Sequence, residues 1–542
     1  MTDGAPLRLH KSGRAGPAAA RGASPARRVA AIDIGSNSIR QIIADVSSDG
    51  SIRVVDEMKD APRLGAGLGE SGTLAPEAME RAVETVTRMA TLARQLSADR
   101  IEAVATSAVR EAPNGGEFIA RVRAASQLTV RALTGQEEAR LCFRSALAHF
   151  ELGEGRAVTM DIGGGSLELA LSADGLVERL ESFPLGALRM SERFLARGTR
   201  HAEVGTLRRA ARETLRGKLP YRAWRGAQCI GSGGTFTNLA GIFLARHGVT
   251  TARSVQGTRI PRVEVEHILD ALAEMTAAER AQVPGLNPAR ADIIVAGIAV
   301  AAETMARFEA RELVVSAYGI REGLLLETAR VAPTIADPGE ARARSVRELA
   351  ERSHFEVPHA EHVQKLALQL FDSLGARLGC QMEDRQILAD AALLHDIGYH
   401  ISYDKHHKHS YHLILHAELL GMSPSEQVAV ANVARYHRGA SPRKKHANYA
   451  RLEKSLRMRI RRLAALLRVA DGLDRGHSGA VERVRVRWSE RALRLTPVPV
   501  SRQTTLRLEL WGASRKSHLL AELAGVAVEL VAPDGSVVRA DE

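Results

Sequence analysis

The stretch Met160-Asp161-Ile162-Gly163-Gly164-Gly165-Ser166-Leu167-Glu168 is an apolar run that enters an aspartate and then a turn of small residues. The pattern has an upstream near-copy, Ala31-Ile32-Asp33-Ile34-Gly35-Ser36-Asn37-Ser38. Each reads as strand, hairpin, strand. Glycine lets the backbone come close to an anion, and the N–H groups and hydroxyls of such a turn can hold phosphate. A single glycine-rich turn in most chains marks a plain hairpin. Two related copies, each with Asp just before the turn, point to a duplicated phosphate clamp.

Around the first copy, residues 29 to 57 read as a β-meander, with further strands at 40–46 and 52–56 joined by a turn at 47–50. The segment 76–96 is an amphipathic helix, with Met79, Val83, Val86, Met89 and Leu92 at helical spacing. A strand at 101–105, a helix at 116–125, a strand at 129–133 and a helix at 136–150 follow. The order then restarts. Strands at 156–162, 166–172 and 175–183 form a second meander, with helices at 190–196 and 201–216 after it. A strand at 228–230 enters Gly231-Ser232-Gly233-Gly234-Thr235 and a helix that runs to 246. Helices at 263–275, 289–308 and 319–329 and a strand at 312–316 complete the half. This internal duplication favours two α/β domains, 29–150 and 151–332, whose turns face a shared cleft. A break falls at 332–339. Residues 340–478 read as an all-helical domain. Residues 480–542 read as a small β-rich one, with strands at 481–488, 492–497, 505–510 and 527–530 and a helix at 516–523.

Composition narrows the partners. The 542 residues carry a net charge of +12, which suits an anionic partner, but aromatic residues make up only 4%. That leaves few rings for stacking on bases, so a specific nucleic-acid role is not expected. Part of the excess lies in residues 1–28, an Ala-, Gly- and Pro-rich segment with Arg8, Lys11, Arg14, Arg21, Arg27 and Arg28 against Asp3, read as a disordered basic tail. No apolar run has the length of a membrane span or of a signal peptide's core, so no membrane association is expected. Cys142, Cys229 and Cys380 are far apart and odd in number, which fits a reducing, cytoplasmic setting and no disulfide framework.

The two turns, the third glycine loop and the order of elements resemble the fold shared by acetate and sugar kinases, actin and heat-shock chaperones. That implies duplicated actin-like ATPase (ribonuclease H-like) α/β domains with mixed sheets, here followed by an all-α domain and a small α+β one. Further motifs sharpen the match: Thr106-Ser107-Ala108-Val109-Arg110-Glu111-Ala112, Leu133-Thr134-Gly135-Gln136-Glu137-Glu138-Ala139-Arg140-Leu141 and Tyr318-Gly319-Ile320-Arg321-Glu322-Gly323. Together they resemble the exopolyphosphatase/guanosine pentaphosphate phosphohydrolase family over residues 29 to about 330. The resemblance extends over the rest as in the longer members. It implies a Mg²⁺-dependent enzyme that removes terminal phosphate from inorganic polyphosphate, with overlapping action on the guanosine nucleotides (p)ppGpp, and a homodimer.

Hydrolysis of a terminal phosphoanhydride needs neutralised phosphoryl charge, an aligned water and a stabilised leaving group. Asp161 and Glu168 lie seven apart across a hairpin and suit Mg²⁺, a hard cation that prefers carboxylates; the resemblance assigns them the same role. Alternatively Asp161 caps a turn and Glu168 is an exposed strand residue. By resemblance Glu138 positions or deprotonates the attacking water; alternatively it and Glu137 are first-turn acids that favour the helix dipole. Arg110, at the end of an expected strand, suits a phosphate, or pairs with Glu111 at the surface. Asp33, Ser36, Asn37, Ser38, Gly164, Gly165, Ser166, Gly233 and Thr235 are the expected phosphate contacts, against a plain role as turn formers and caps.

The helical part holds a second constellation. His359, then Leu393-Leu394-His395-Asp396-Ile397-Gly398, then Asp471 resemble the HD phosphohydrolase superfamily. The resemblance implies one metal site on His359, His395, Asp396 and Asp471, a mixed N/O set for Mn²⁺, Fe²⁺ or Mg²⁺. The alternative is a degenerate site whose helices serve dimerisation. His406, His409 and His412 sit at i,i+3 spacing and with His437 form a candidate second set, or a basic face for polyanions. Arg435, Arg438, Arg443, Lys444, Lys445, Arg457, Arg459, Arg461 and Arg462 make a basic tract, either a solvated face or a path for a long polyanion. Two rival functions stay open: an ATP-dependent kinase of the same fold, with nucleotide at 231–235, and a sensor that binds guanosine tetra- or pentaphosphate without turnover.

Overall fold

The computed structural model describes residues 26–538 except 48–51, 151, 153–154, 218, 220–223, 251–253, 332–337, 418, 420 and 502. Residues 1–25 of the basic tail, 48–50 of the first meander's turn and 332–337 of the expected break lie outside the described residues.

The first sheet contains β1 (Arg27–Ile34), β2 (Ile39–Val46), β3 (Ile52–Asp60), β4 (Arg100–Ala105) and β5 (Val130–Ala132), in the order β3-β2-β1-β4-β5. β1, β2 and β3 pair antiparallel, whereas β4 and β5 continue parallel to β1. The second sheet contains β6 (Arg156–Ile162), β7 (Leu167–Ala173), β8 (Leu176–Phe183), β9 (Gln228–Ser232), β10 (Arg259–Pro261) and β11 (Glu312–Val315), in the order β10-β11-β9-β6-β7-β8. Read from β8, it repeats the first sheet, with β10 added antiparallel at the far edge. This is the duplicated mixed-sheet α/β architecture that the sequence implies. The central strands explain themselves: Val29–Ile32 on β1 and Val158–Ile162 on β6 are buried on both faces, as strands covered by helices must be. The helix Pro76–Gln95 buries Met79, Ala82, Val86, Met89 and Ala93 and leaves its charged side to solvent.

One helix joins the halves. Gly135–His149 places Leu141 and Cys142 in the core beneath β1 and β2, and Ala139, Phe143 and Ala146 in the core beneath β6 and β9. The helix Ile320–Thr328 crosses it so closely that a Cβ on Gly323 would stand 2.1 Å from the Leu141 carbonyl oxygen. Its own start is a complete capping box: Thr134 Oγ1 accepts from Glu137 N, and Glu137 Oε2 accepts from Thr134 N at 2.8 Å.

Beyond 337 the long helices are Pro338–Arg352, Val357–Leu378, Asp384–Leu394, His406–His416, Pro424–Arg435 and Lys454–Gly472. A third sheet, β12 (Val481–Trp488), β13 (Ala492–Pro499), β14 (Ala527–Val531) and β15 (Val537–Val538), follows in sequence order. Its inner residues Val481, Leu493, Leu495 and Leu530 join one continuous core with Leu366, Leu370, Leu463 and Leu466 of the helices. The expected strand at 505–510 is instead the start of a helix, Arg507–Lys516. Leu506, Leu508 and Leu510 alternate, but Leu508 is 58% exposed while Leu506, Leu510 and Ala513 are buried. Their 3–4 spacing packs against Lys454–Gly472, and six residues are too few for alternation to decide the period. No helix among the described residues is long and apolar enough to cross a membrane.

Candidate functional site

The two signature turns meet at the carboxyl ends of β1 and β6, where open α/β sheets bind ligands. Each is closed by the same hydrogen bond: Gly35 N donates to Ser38 O at 3.1 Å and Gly163 N to Ser166 O at 3.0 Å. A Cβ on Gly164 would stand 2.9 Å from Ser36 Cβ and 3.1 Å from Asn37 N, so the contact between the turns requires glycine there. The cleft they enclose is lined by Asp33, Ser36, Asn37, Ser38, Glu138, Asp161, Gly164, Ser166, Glu168 and Gly233, all expected from the sequence.

Asp161 and Glu168 are direct partners in the β6–β7 ladder, so both carboxylates stand on one face. Both are buried. Glu168 Oε1 accepts from Ser182 Oγ at 2.9 Å, and Asp161 Oδ2 accepts from Cys142 Sγ at 3.2 Å. Gly233 has φ +87°, and a Cβ there would lie 2.1 Å from Asp161 Oδ1. The third glycine turn therefore passes directly beside the carboxylate. Burial raises Asp33 to about 6 and Glu168 to about 8. It also raises Asp161, against the pull of Arg40 and Arg290. Burial thus favours the protonated form of each acid, and nearby positive charge favours the ionised form.

Glu138 enters from the first turn of Gly135–His149, 3% exposed, and its Oε1 accepts from Arg110 Nη1. Burial first, then the charge of Glu168, pushes it well above the ordinary glutamate range; Arg110 opposes them. Glu137 is spent on the capping box. Arg110 does not end a strand: β4 stops at Ala105, and Arg110 sits on the short helix Ser107–Glu111 with Nη1 also bonded to the Leu133 carbonyl at 2.6 Å. It reaches the cleft through Glu138. Thr235 turns away: it is fully buried against Gly297, and Thr237 lines the cleft in its place. Gly165 faces the side of the turn, where a Cβ would meet Ser107 Oγ at 2.3 Å.

Three cations were not anticipated. Arg40, Arg290 and Lys59 crowd the acids, and burial lowers Arg290 to about 10 and Lys59 to about 8. Among the described residues the Arg40 and Arg290 side chains have no hydrogen-bonded acid, and Arg290 Nε is buried without a partner. Arg40 had a signal. It pairs with Asp33 across β1–β2 as Glu168 pairs with Asp161 across β6–β7, at the same spacing of seven. The repeat has kept the geometry and changed one acid into a base. Arg290 lies in a 3₁₀ turn, Pro288–Arg290, with no pattern to announce it.

The model of the Ppx/GppA phosphatase family matches residues 42–331, more than half of the chain. The chain belongs to the Ppx/GppA phosphatase family. A second model, Ppx/GppA phosphatase domain III, matches residues 341–509. Among solved structures, an exopolyphosphatase from Cytophaga hutchinsonii is 26% identical, with 57% of this chain and 99% of that one covered and a TM-score of 0.53. An exopolyphosphatase-like protein is 27% identical, with 56% and 99% covered and a TM-score of 0.51. The Aquifex aeolicus member of the Ppx/GppA family is 30% identical, with 56% and 98% covered and a TM-score of 0.49.

The part that matches the family's domain III brings His359, His395, Asp396 and Asp471 together. His359 Nε2 lies 3.7 Å from Asp396 Oδ2 and 3.9 Å from Asp471 Oδ1, and His395 Nε2 lies 3.5 Å from Asp396 Oδ2. Of the other histidines, His406 and His437 join them, whereas His412 is exposed and His409 half-buried outside the group. The basic tract divides. Arg459 pairs with buried Asp384, Arg461 with Glu522, and Arg462 donates to the Gly379 carbonyl, while Arg443, Lys444 and Lys445 are exposed.

Proposed function

We propose that the cleft hydrolyses the terminal phosphoanhydride of inorganic polyphosphate. The observation that carries this reading is the pairing of opposites in one buried place. The Asp161–Glu168 carboxylates face half-buried Arg40 and buried Arg290, neither with an acid bonded to it among the described residues. Carboxylates alone would suit a cation, and guanidiniums alone an anion; the two together suit a metal-bound phosphate chain. The likeness to the Cytophaga hutchinsonii exopolyphosphatase supports the choice of substrate. Guanosine pentaphosphate ends in the same anhydride, and we include it as a second substrate.

Mg²⁺ fits Asp161 and Glu168, an oxygen-only pair on one face of the β6–β7 ladder, and when bound it would supply charge neutralisation at the phosphoryl oxygens. The chain supplies the rest. Arg40, Arg290, the amides of the two turns and the hydroxyls of Ser36, Ser38 and Ser166 hold and orient the terminal phosphates. Glu138 accepts a proton from water as the water oxygen bonds to phosphorus and the bridging P–O bond breaks. The electron pair of that bond leaves with the shortened chain. Arg110 holds the Glu138 carboxylate in place and favours its ionised form.

The test is purified protein with long-chain polyphosphate and Mg²⁺, without nucleotide. Steady phosphate release that falls by about 10²–10⁴-fold in Glu138→Ala supports the reading. ATP consumption that needs an added acceptor, with no release from polyphosphate, replaces it with a kinase. Tight binding of guanosine tetraphosphate without turnover replaces it with a sensor.

A further inference from the structure

Each of the duplicated sheets carries a row of side chains across three strands, and the two rows have diverged in charge. In the second half Asp161, Glu168 and Ser182 are successive partners on β6, β7 and β8. In the first half the matching positions are Asp33, Arg40 and Lys59 on β1, β2 and β3. Directly opposed residues of an antiparallel ladder point to one face, so each row runs outward from its aspartate in steps of about 5 Å. The inner two members of each row line the cleft. Lys59, the third of the first row, stands on the outermost strand and is open to solvent.

The second row closes on itself: Ser182 Oγ donates to Glu168 Oε1 at 2.9 Å, and the row ends in a neutral hydroxyl. The first row cannot close, because Arg40 and Lys59 are both cations and repel. Partial burial, then the positive charges of Arg40, Arg290 and Arg321, lower the proton affinity of Lys59. The nearby acids of β3 are engaged elsewhere. Glu57, on the same face, accepts from Arg321 Nη1 at 3.2 Å, and Asp60 accepts from Thr85 and Arg88. Among the described residues Lys59 has no ion pair. Like charges set directly opposite in a ladder cost stability, and an anion laid across both removes that cost.

The direction of the row decides which part of a substrate it meets. Asp161, Glu168 and Glu138 lie together in the cleft, where the proposed hydrolysis takes place. A phosphate chain that follows positive charge away from these acids passes over Arg40 and then Lys59. We infer that Lys59 is a specificity-determining residue that grips the phosphate chain outside the reacting end and makes the cleft favour inorganic polyphosphate over guanosine pentaphosphate. The inference takes its substrate class from the proposed hydrolysis. Polyphosphate carries charge at every unit along this path, whereas the 5′ chain of the nucleotide gives way to an uncharged ribose after its third phosphate. An ammonium is a compact point charge on a flexible stem, so Lys59 suits a chain that shifts by one unit after each cleavage. The acid-rich row thus serves the reacting end, and the basic row serves the chain behind it.

The test separates binding from turnover. In the full chain carrying Glu138→Ala, the Kd for long-chain polyphosphate and for guanosine pentaphosphate is measured by calorimetry over a range of salt, with and without Lys59→Ala. Lys59→Ala is expected to weaken polyphosphate about tenfold and guanosine pentaphosphate by less than about threefold, and to lower the salt dependence of polyphosphate binding by about one ion. Lys59→Arg, which keeps the charge, is expected to stay within about threefold of its parent. With Glu138 intact, Lys59→Ala is expected to raise KM for polyphosphate about tenfold while kcat stays within about twofold. Equal losses for both ligands, or no loss, overturn the inference. So does a lower kcat at unchanged KM, which places the ammonium at the reacting phosphate. Polyphosphate binding that depends on Lys59 in a chain that releases no phosphate ends the hydrolysis and leaves the grip standing. Steady release with a Kd indifferent to Lys59 does the reverse, and no binding of polyphosphate at all overturns both.

Discussion

The phosphate cleft and the histidine-lined centre both bury acids, but they answer the charge differently. In the cleft the acids face guanidiniums, and every candidate ligand is an oxygen. In the helical region they face imidazoles whose outer nitrogens are tied to carbonyls or to Asp474. Guanidinium forks beside oxygen donors suit a site that binds phosphate. Imidazoles fixed by their outer nitrogens present their inner nitrogens in one set geometry. The two regions therefore differ in their donor atoms rather than in the amount of buried charge.

The sharpest way to break this contrast is Glu168→Gln. It removes half of the opposed carboxylate pair, and phosphate release from polyphosphate is expected to fall by about 10²-fold or more, with a higher Mg²⁺ requirement. A rate within threefold of wild type removes the pair from the metal role. On the other side, Asp474→Asn withdraws the acid that holds His359 Nδ1. Stability to urea is expected to fall by about 1–3 kcal/mol as this buried charge-assisted hydrogen bond is weakened; unchanged stability shows that the pair contributes nothing net.

A smaller effect concerns pH. Glu138 must be ionised to accept a proton, and burial holds it above its ordinary 4.5. The rate of phosphate release is therefore expected to fall on the acid side at a pH above that value. Arg110 pulls the group down, so Arg110→Ala is expected to shift the acid limb to higher pH. A limb that stays put or moves down assigns the proton transfer to another group. The smallest expected change is that of Thr134→Ala, about 1 kcal/mol of stability from the lost cap, read from urea unfolding.

Much of this contrast was legible in the residues, and the failures are instructive. The duplicated turns and the carboxylates seven apart were visible because a hairpin places opposite partners on one face. Arg40 obeys the same spacing but breaks the chemical likeness between the halves, so the repeated acid pattern does not announce it. Thr235 looked like a phosphate contact, but the helix that starts at Gly234 turns it into the core and presents Thr237 instead. Among the histidines of 406–412, i,i+3 spacing could not choose a phase. Only the helix start at His406, after Lys405 in the left-handed region, decides that His406 faces inward. The strand expected at 505–510 failed for a related reason, since Leu506, Leu508 and Leu510 alternate while burial follows the helical spacing of Leu506, Leu510 and Ala513.

Glu137 and Glu138 are chemically alike and differ by about 100° around one helix axis. The box at Thr134 decides which of them looks into the cleft, because it pins where the first turn begins. It works as an index stop on a dial. A helix that started one residue later would present a different acid from the same sequence, and the aim of the base is thus set by an exposed threonine outside the cleft.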